Sequence, residues 1–372
     1  MSGPELPKEG YAMRRVHISM VRPGDRLARP VMRENGSVLL GAGVELNERF
    51  IERLRNLGVD VVFVEDEWTT DLIPEEVIRD ETYQRAVDTI YKTVGSLMDM
   101  PVHKGRAAMP DLGRTFRQLF GEIMHDLLQR RDIMYSLANI HVADAYLFHH
   151  SVNVAVLAGI MGMAKGYNRN QIEELGIGAL LFDIGMIKVP KELLNKSSPL
   201  TPEERAIVEK HTTEGFDMLR TQHDISLLSA HCALQHHERY DGSGYPRGLK
   251  GGEIHEYAQI VAIADVYDAL TSPRSYRNRY SPSEAIEYLF AAGNTLFDLE
   301  LIKLFCRHVS VYPIATTVML NTGQIAVVTA NNPLAVHRPV VRILREADGR
   351  PVSRPYEIDL QYDKQLMIVK EL

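Results

Sequence analysis

The sequence predicts a multidomain protein in which an all-α domain lies between a small N-terminal β-rich (α+β) module and a small C-terminal β unit. The chain has 372 residues, a length that suggests two or three domains. Short apolar runs of strand length lie near both ends, and helical periodicity with marked helix starts fills the middle. We place the domain boundaries at residues 1–73, 74–137, 138–311 and 312–372.

The N-terminal module, residues 1–73, is dominated by turn and strand signals. Two short apolar runs flank Asn35-Gly36, a pair that supplies the positive φ a hairpin turn needs. Asn47 is a predicted N-cap of a short helix that Gly58 ends, and residues 61–64 have the length of a strand. No catalytic pattern is visible here, so we expect a regulatory or packing module.

Residues 74–137 are predicted to form a pair of helices. Apolar residues recur at helical spacing in two stretches, at Ala86, Ile90, Val94 and Leu97 and at Phe116, Leu119, Ile123 and Leu127. Pro101 and Pro110 bound the break between them. The pair could pass a signal or form the seam of a homodimer, and packing within one chain explains the same pattern.

Residues 138–311 are predicted to be helical, whereas residues 312–372 are predicted to form strands. Helix starts are marked at Thr201 and Ser281. Each is a hydroxyl residue suited to the N-cap and is followed by proline at N1 and glutamate at N3. After Tyr312, three strand-like runs occur, at residues 316–320, 324–328 and 339–344. We expect this tail to close over the helical domain.

Composition excludes several classes of protein. The chain is 45% hydrophobic and 24% charged with a net charge of −7, which argues against a broad electrostatic grip on DNA or RNA. Cys232 and Cys306 lie far apart outside any CxxC pattern, so neither a disulfide framework nor a cysteine zinc site is expected. No signal peptide is recognisable, and the most apolar helical stretch, residues 154–164, is too short to span a membrane. These features predict a cytoplasmic protein without a membrane partner.

Two aspartates lie inside apolar runs. Asp183 is in the run 179–185 and Asp265 in the run 260–266. A carboxylate in such a run is expected to be buried, and a buried carboxylate must be paired, hydrogen-bonded or bound to a metal. Several histidines nearby in the sequence favour the metal.

Histidines supply the other candidate ligands. His211 is predicted to share the inward face of the helix begun at Thr201, and His150 precedes an apolar helical run. Taken alone, each is more often a hydrogen-bonded core histidine. His236 and His237 end an apolar helix and run directly into the glycine-rich segment 238–246, an arrangement that suits a metal pocket.

This region resembles a known family. The segment HHERYDGSGYPRGLKG, residues 236–251, resembles the defining segment of HD-GYP domains, and LLFDIG, KHTTEGFDML and IADVYDALTSPRSYR follow the order and spacing of that family. The resemblance covers residues 141–310, so the all-α domain is expected to be an HD-GYP domain, and residues 312–328 resemble the β-rich tail that often follows it. It implies a metal-dependent phosphodiesterase that hydrolyses the bacterial messenger cyclic di-GMP to linear pGpG, GMP or both.

The resemblance also implies roles for individual residues. By position, the metal ligands would be His150, Asp183, His211, His236, His237 and Asp265, with Asp183 as the catalytic, bridging aspartate. Substrate contacts would come from Gly244, Tyr245, Pro246, Arg274 and Arg277. The arginines suit phosphate because guanidinium offers a planar fork of donors, although a solvated loop is the alternative for them. Iron or manganese is expected, as one or two ions.

Three positions depart from the family pattern. Phe182 occupies the place of the histidine in the HD pair, and Met186 replaces a lysine three residues after the aspartate. Tyr146 stands where members with a third metal often carry a glutamate, so no third ion is expected. Loss of even an outer partner costs about 10–100-fold in metal affinity or activity, so the sub-site around His150 and Asp265 is expected to be weakened. The other four ligands still suit one ion of iron, manganese or zinc.

Three functions remain open at this point. The first is a working phosphodiesterase in which Arg274 and Arg277 hold phosphate oxygens. The second is a degenerate, catalytically inactive member that acts as a cyclic di-GMP sensor or a protein-interaction module, as the loss of both the histidine and the lysine favours. The third is a phosphohydrolase of another nucleotide, against which the retained Gly-Tyr-Pro segment argues.

Overall fold

The computed structural model describes residues 13–32, 38–59, 61–72, 77–98, 111–129, 146–194, 196, 198–272, 280–332 and 335–372. Within these ranges the α-helices are α1 Glu48–Asn56, α2 Asp80–Met98, α3 Leu112–Leu128, α4 Tyr146–Ala164, α5 Arg169–Leu181, α6 Lys191–Leu194, α7 Pro202–Glu209, α8 His211–Leu219, α9 Leu227–Gln235, α10 Glu256–Thr271, α11 Pro282–Ala291 and α12 Leu299–Cys306. The strands are β1 Met13–His17, β2 Val31–Met32, β3 Val38–Leu40, β4 Val61–Glu65, β5 Thr317–Leu320, β6 Ile325–Ala330, β7 Val340–Arg345, β8 Pro351–Asp359 and β9 Ile368–Glu371. This element order confirms the predicted helical domain between a small α+β module and a small β unit.

The N-terminal module consists of two antiparallel strand pairs and one helix. Strand β1 pairs with β4, and β2 pairs with β3. The side chain of Asn47 caps α1 by accepting a hydrogen bond from the Phe50 N–H, as the sequence predicts. The Asn35-Gly36 turn lies outside the described residues.

Helices α2 and α3 belong to the main core of the chain. Their predicted apolar faces, including Ile90, Phe116 and Ile123, are buried in one hydrophobic cluster with α4, α5 and α10. Burial of these faces within a single chain supports the intrachain alternative for the helical pair. The break at Pro101 and Pro110 lies outside the described residues, and the homodimer stays a prediction.

The helical domain brings four helices around one buried centre, where α4 and α5 lie against α9 and α10. The starts predicted at Thr201 and Ser281 both form complete capping boxes, with Glu204 and Glu284 reaching back to the cap. No helix in the described ranges combines the length and the apolar character needed to cross a membrane.

The C-terminal unit is a five-stranded antiparallel sheet in the order β8-β7-β6-β5-β9. Its buried face, including Val318 and Ile343, joins the core of the helical domain, as the predicted closure requires. The sheet also holds the N-terminal module, because the Arg15 N–H donates to the Ala315 carbonyl at 2.7 Å and the His17 N–H donates to the Leu372 carbonyl at 3.0 Å. The described part of the N-terminal module therefore contacts the C-terminal unit directly.

Candidate metal centre

Three histidines form a cluster at the buried centre of the helical domain. Ring nitrogens of His211, His236 and His237 all lie within 4.8 Å of one another. His236 and His237 follow the end of α9, as predicted. His211 was expected on the helix begun at Thr201, and this is wrong: that helix ends at Glu209, and His211 is the first residue of α8. No glycine or proline lies between Glu209 and His211, and the apolar residues keep their helical spacing across this position. The sequence therefore contains no sign that one helix ends and another begins here.

Hydrogen bonds fix which nitrogens of two rings face the cluster. The Nδ1 of His211 lies 2.7 Å from the Val208 carbonyl oxygen, and the Nδ1 of His236 lies 3.0 Å from the Cys232 carbonyl oxygen. Because a carbonyl only accepts, each Nδ1 carries a proton, which leaves Nε2 as the atom of each ring that can present a lone pair to a metal. The two Nε2 atoms are 3.3 Å apart.

Asp183 adds a third acceptor to this pair. Its Oδ1 lies 3.5 Å from the Nε2 of both His211 and His236. Burial raises the pKa of Asp183, but its contacts with His236 and the other neighbouring imidazoles outweigh this effect and hold the pKa well below its usual range. Burial lowers the pKa of His211 and His237, so both rings are neutral near pH 7. Two nitrogen lone pairs and an anionic oxygen thus converge at one point, and this donor set fits a divalent cation.

His150 and Asp265 form a separate pair beside the cluster. His150 on α4 lies 2.9 Å from Asp265 through Nε2 and 2.7 Å from Asp268 through Nδ1, both distances being to carboxylate oxygens. Burial lowers the pKa of His150, but the two carboxylates raise it to about 10. Both nitrogens therefore act as donors, and in this arrangement His150 offers no lone pair to a metal. Four of the six predicted ligands share one cluster, and two are paired with each other.

Phe182 separates the cluster from this pair. Its ring is fully buried, with its centroid 5.6 Å from that of His150 and 5.0 Å from that of His236, in edge-to-face geometry with both. A phenyl ring supplies no ligand atom, so the position between the two groups of donors contributes none.

The Gly-Tyr-Pro segment lies beside His237, the least buried of the three histidines. The ring centroid of Tyr245 is 4.8 Å from that of His237. Gly244 allows a close approach, because a Cβ there would lie 2.4 Å from the Arg239 nitrogen. Pro246 follows Tyr245 through a cis peptide bond. Three of the five predicted substrate-contact residues therefore stand beside the histidines.

Sequence reasoning missed two buried carboxylates that support the site. Glu238 accepts hydrogen bonds from the Arg247 N–H at 2.8 Å and the Leu249 N–H at 2.9 Å, which fixes the loop after Tyr245. Asp268 holds His150. Its signal was its position three residues after Asp265, on the same face of α10.

The remaining predicted residues have no described side chains. Arg274 and Arg277 lie in the segment 273–279, outside the described residues, and the side chain of Tyr146 is likewise not described. Their roles stay predictions from the resemblance.

Comparison with known proteins identifies two regions of the chain. The model of the HD domain family matches residues 130–301, and that of a KOW domain associated with the HD domain matches residues 317–372. The chain is 33% identical to the cyclic di-GMP phosphodiesterase PA4108 of Pseudomonas aeruginosa over 242 residues, which are 65% of this chain and 58% of the relative. It is 37% identical to a cyclic di-GMP phosphodiesterase of Thermotoga maritima over 197 residues, 53% of each chain.

Two further matches extend this picture. A 3'3'-cGAMP-specific phosphodiesterase 2 of Vibrio cholerae is 30% identical over 203 residues, 54% of this chain and 38% of the relative. The solved structure of Bd1817, an HDG"Y"P protein from Bdellovibrio bacteriovorus, matches with a TM-score of 0.47 and 16% identity, over 79% of this chain and 98% of that one. The chain spans about half the length of the curated relatives it matches. Residues 130–301 therefore belong to the HD domain family, and the similarity to cyclic di-GMP phosphodiesterases supports the resemblance to HD-GYP domains.

Proposed function

We propose that this chain is a metal-dependent phosphodiesterase that hydrolyses cyclic di-GMP at the cluster of Asp183, His211, His236 and His237. The observation that carries the proposal is the convergence of two Nε2 lone pairs and the Asp183 carboxylate on one buried point. A divalent cation bound there would act as a Lewis acid toward a phosphate oxygen and favour deprotonation of a nucleophilic water.

The residues of the chain prepare this site in three ways. The carbonyls of Val208 and Cys232 hold two imidazoles in the tautomer that points Nε2 inward. Asp183 supplies the negative charge that attracts a cation. Tyr245, fixed above His237 by its loop, offers an aromatic face to a nucleotide. Arg274 and Arg277 keep their proposed role at the phosphates.

One ion per chain, iron or manganese, is the stoichiometry that the contacts support. The His150 ring is engaged by two carboxylates, and Phe182 provides no donor where the family carries a histidine. A second ion would have to take His150 and Asp265 away from each other. A third ion is not expected.

The names of the relatives support the substrate class. Two of them are cyclic di-GMP phosphodiesterases and a third is specific for 3'3'-cGAMP. All three act on cyclic dinucleotides, so the test includes both compounds, with cyclic di-GMP as the expected substrate and linear pGpG or GMP as products.

The alternative is an inactive sensor that binds the nucleotide without hydrolysing it. Phe182 and the closed contact between His150 and Asp265 favour this alternative, because together they remove the second half of a paired-metal site. Binding and turnover must therefore be measured separately.

The test uses the full chain purified anaerobically with added Fe²⁺ or Mn²⁺. Elemental analysis is expected to find up to one equivalent of metal, and incubation with cyclic di-GMP to release linear product. His236→Asn is expected to lower metal affinity by at least about 10-fold because it removes an inward Nε2. His231→Asn is the matched control, since His231 lies on α9, the helix that His236 directly follows, and is outside the cluster.

The outcomes separate the alternatives. Absence of metal after this preparation, or equal metal content in both variants, would overturn the proposed centre. Metal and nucleotide binding without product would establish the sensor instead.

A further inference from the structure

A series of buried polar side chains leads from α2 to the candidate site. The Tyr83 hydroxyl on α2 donates to the Oδ1 of Asn153 at 3.0 Å, and the Nδ2 of Asn153 donates to the Oδ1 of Asp268 at 2.8 Å. The other oxygen of Asp268 accepts from His150 at 2.7 Å. We call these four residues, Tyr83, Asn153, Asp268 and His150, the buried polar chain. All four are less than 9% exposed.

The chemistry of these groups gives each hydrogen bond one direction. Asp268 is a carboxylate that accepts from Asn153, so the amide must turn its nitrogen to Asp268 and its oxygen to Tyr83. The Tyr83 hydroxyl must then donate, and its oxygen lies 3.2 Å from the Nδ1 of His149, which can donate to it. Rotation of the Asn153 amide by 180° would place two donors in contact with each other at Tyr83 and two acceptors at Asp268.

The far end of the buried polar chain reaches the candidate site. His150 contacts Asp265 through its other nitrogen at 2.9 Å, and its ring lies against Phe182. The near end, Tyr83, lies in the first turn of α2, which begins eight residues after Leu72, the last described residue of the N-terminal module. A displacement of α2 would therefore remove the partner of the Asn153 amide oxygen and release the constraint that aims the Asn153 amide nitrogen at Asp268.

We propose that Tyr83 is a positioning residue. Through Asn153, it makes the orientation of Asp268 and His150 beside the candidate metal centre depend on the position of α2. This inference rests on the proposed function and adds its regulation. Through the buried polar chain, a signal received by the N-terminal module acts on the site without touching the substrate.

The test compares two identical substitutions on one helix. Tyr83→Phe removes the hydroxyl of the buried polar chain, and Tyr91→Phe removes an exposed hydroxyl on the same helix. The first readout is the downfield imidazole N–H proton resonance of His150, assigned by its loss in His150→Gln and recorded without metal or nucleotide. The resonance is expected to move in Tyr83→Phe and to stay in place in Tyr91→Phe, with thermal midpoints recorded for both.

The second readout is turnover of cyclic di-GMP. Tyr83→Phe is expected to lower kcat by about 2- to 10-fold, the factor that one buried hydrogen bond typically contributes, while KM is unchanged because the Tyr245 loop is not touched. Asn153→Ser interrupts the same series, so the double variant Tyr83→Phe/Asn153→Ser should be no slower than Asn153→Ser alone.

Failure of this inference is distinct from failure of the proposed function. An unmoved His150 resonance in Tyr83→Phe, or additive effects in the double variant, would overturn the coupling even if the enzyme is active. If the wild-type chain proves inactive, the resonance still decides whether Tyr83 acts on His150.

Discussion

At the scale of single residues, Phe182 determines how the neighbouring donors are used. A ligand at this position would lie between His150 and His236, whose ring centroids are 5.6 and 5.0 Å away. With phenylalanine there, His150 satisfies both nitrogens on Asp265 and Asp268 instead. A buried ion pair is costly to form but more costly to break, because removal of one partner leaves an unpaired charge. Opening the contacts of His150 with Asp265 and Asp268, as a second metal ion would require, is therefore costly.

Phe182→His is expected to raise both the metal content per chain and the turnover of cyclic di-GMP. The new imidazole would lie between the two groups of donors and restore a ligand where the family pattern has one. Elemental analysis and product formation measure the two effects.

Phe305→His is the control for this prediction, because Phe305 is equally buried but contacts Tyr267 away from the cluster. It is expected to destabilise the chain without adding metal. If Phe182→His changes neither metal content nor turnover, the assignment of position 182 to a vacated ligand is wrong.

At the scale of elements, the site depends on how closely the 3₁₀ turn Ile184–Lys188 approaches α8. A Cβ on Gly185 would lie 2.0 Å from the carbonyl oxygen of His211 and 2.6 Å from the nitrogen of Gly215. Such distances are shorter than any van der Waals contact, so only glycine permits this packing. The contact sets the distance between Asp183, which precedes the turn, and His211, which begins the helix.

Gly185→Ala is expected to destabilise the chain by about 1–3 kcal/mol, the usual cost of overpacking, and to weaken metal binding by moving Asp183 away from His211. Thermal unfolding and Mn²⁺ titration measure the two effects. Gly121→Ala on α3 meets no atom within 4 Å and is expected to stabilise by roughly 0.5–1 kcal/mol. Normal metal affinity in Gly185→Ala would show that this contact does not position Asp183.

Local sequence signals predicted where three helices begin. Asn47, Thr201 and Ser281 cap their helices as expected, because a cap depends on residues within one turn. The pairing of Tyr83 with Asn153 joins residues 70 positions apart, and that of Asn153 with Asp268 joins residues 115 apart. Spacing along the chain carries no signal for such contacts, so the sequence predicted candidate ligands but not the partners that orient them.

At the scale of the whole molecule, Arg342 links the C-terminal sheet to the N-terminal module, and we call this contact the joint. This side chain on β7 donates to both carboxylate oxygens of Asp71 at 2.7 and 2.6 Å, to the Trp68 carbonyl at 2.9 Å and to Glu357 at 2.8 Å. Asp71 and Trp68 belong to the N-terminal module, which leads into α2. The C-terminal sheet therefore holds the module whose position the buried polar chain would report to the site.

The joint should depend on pH in a defined direction. The hydrogen bonds from Arg342 hold the pKa of Asp71 below its ordinary value of 3.8. A carboxyl group whose pKa is lower in the folded state adds stability above its unfolded pKa, and this stability is lost as the pH falls through the folded value. Arg342→Ala is therefore expected to cost about 1 kcal/mol at pH 7, a modest value because Asp71 is more than half exposed, and much less at a pH low enough to protonate Asp71.

Hydrogen exchange of residues 61–72 and thermal unfolding at both pH values measure this difference. Arg350→Ala is the matched control, since Arg350 lies in the turn between β7 and β8 and pairs with Asp348 two residues away. It should leave exchange in the N-terminal module unchanged. If Arg342→Ala lowers the free energy of unfolding equally at pH 7 and at low pH, the carboxylate of Asp71 is not the partner that stabilises the joint. If hydrogen exchange of residues 61–72 is unchanged in Arg342→Ala, the sheet does not hold the module through this side chain.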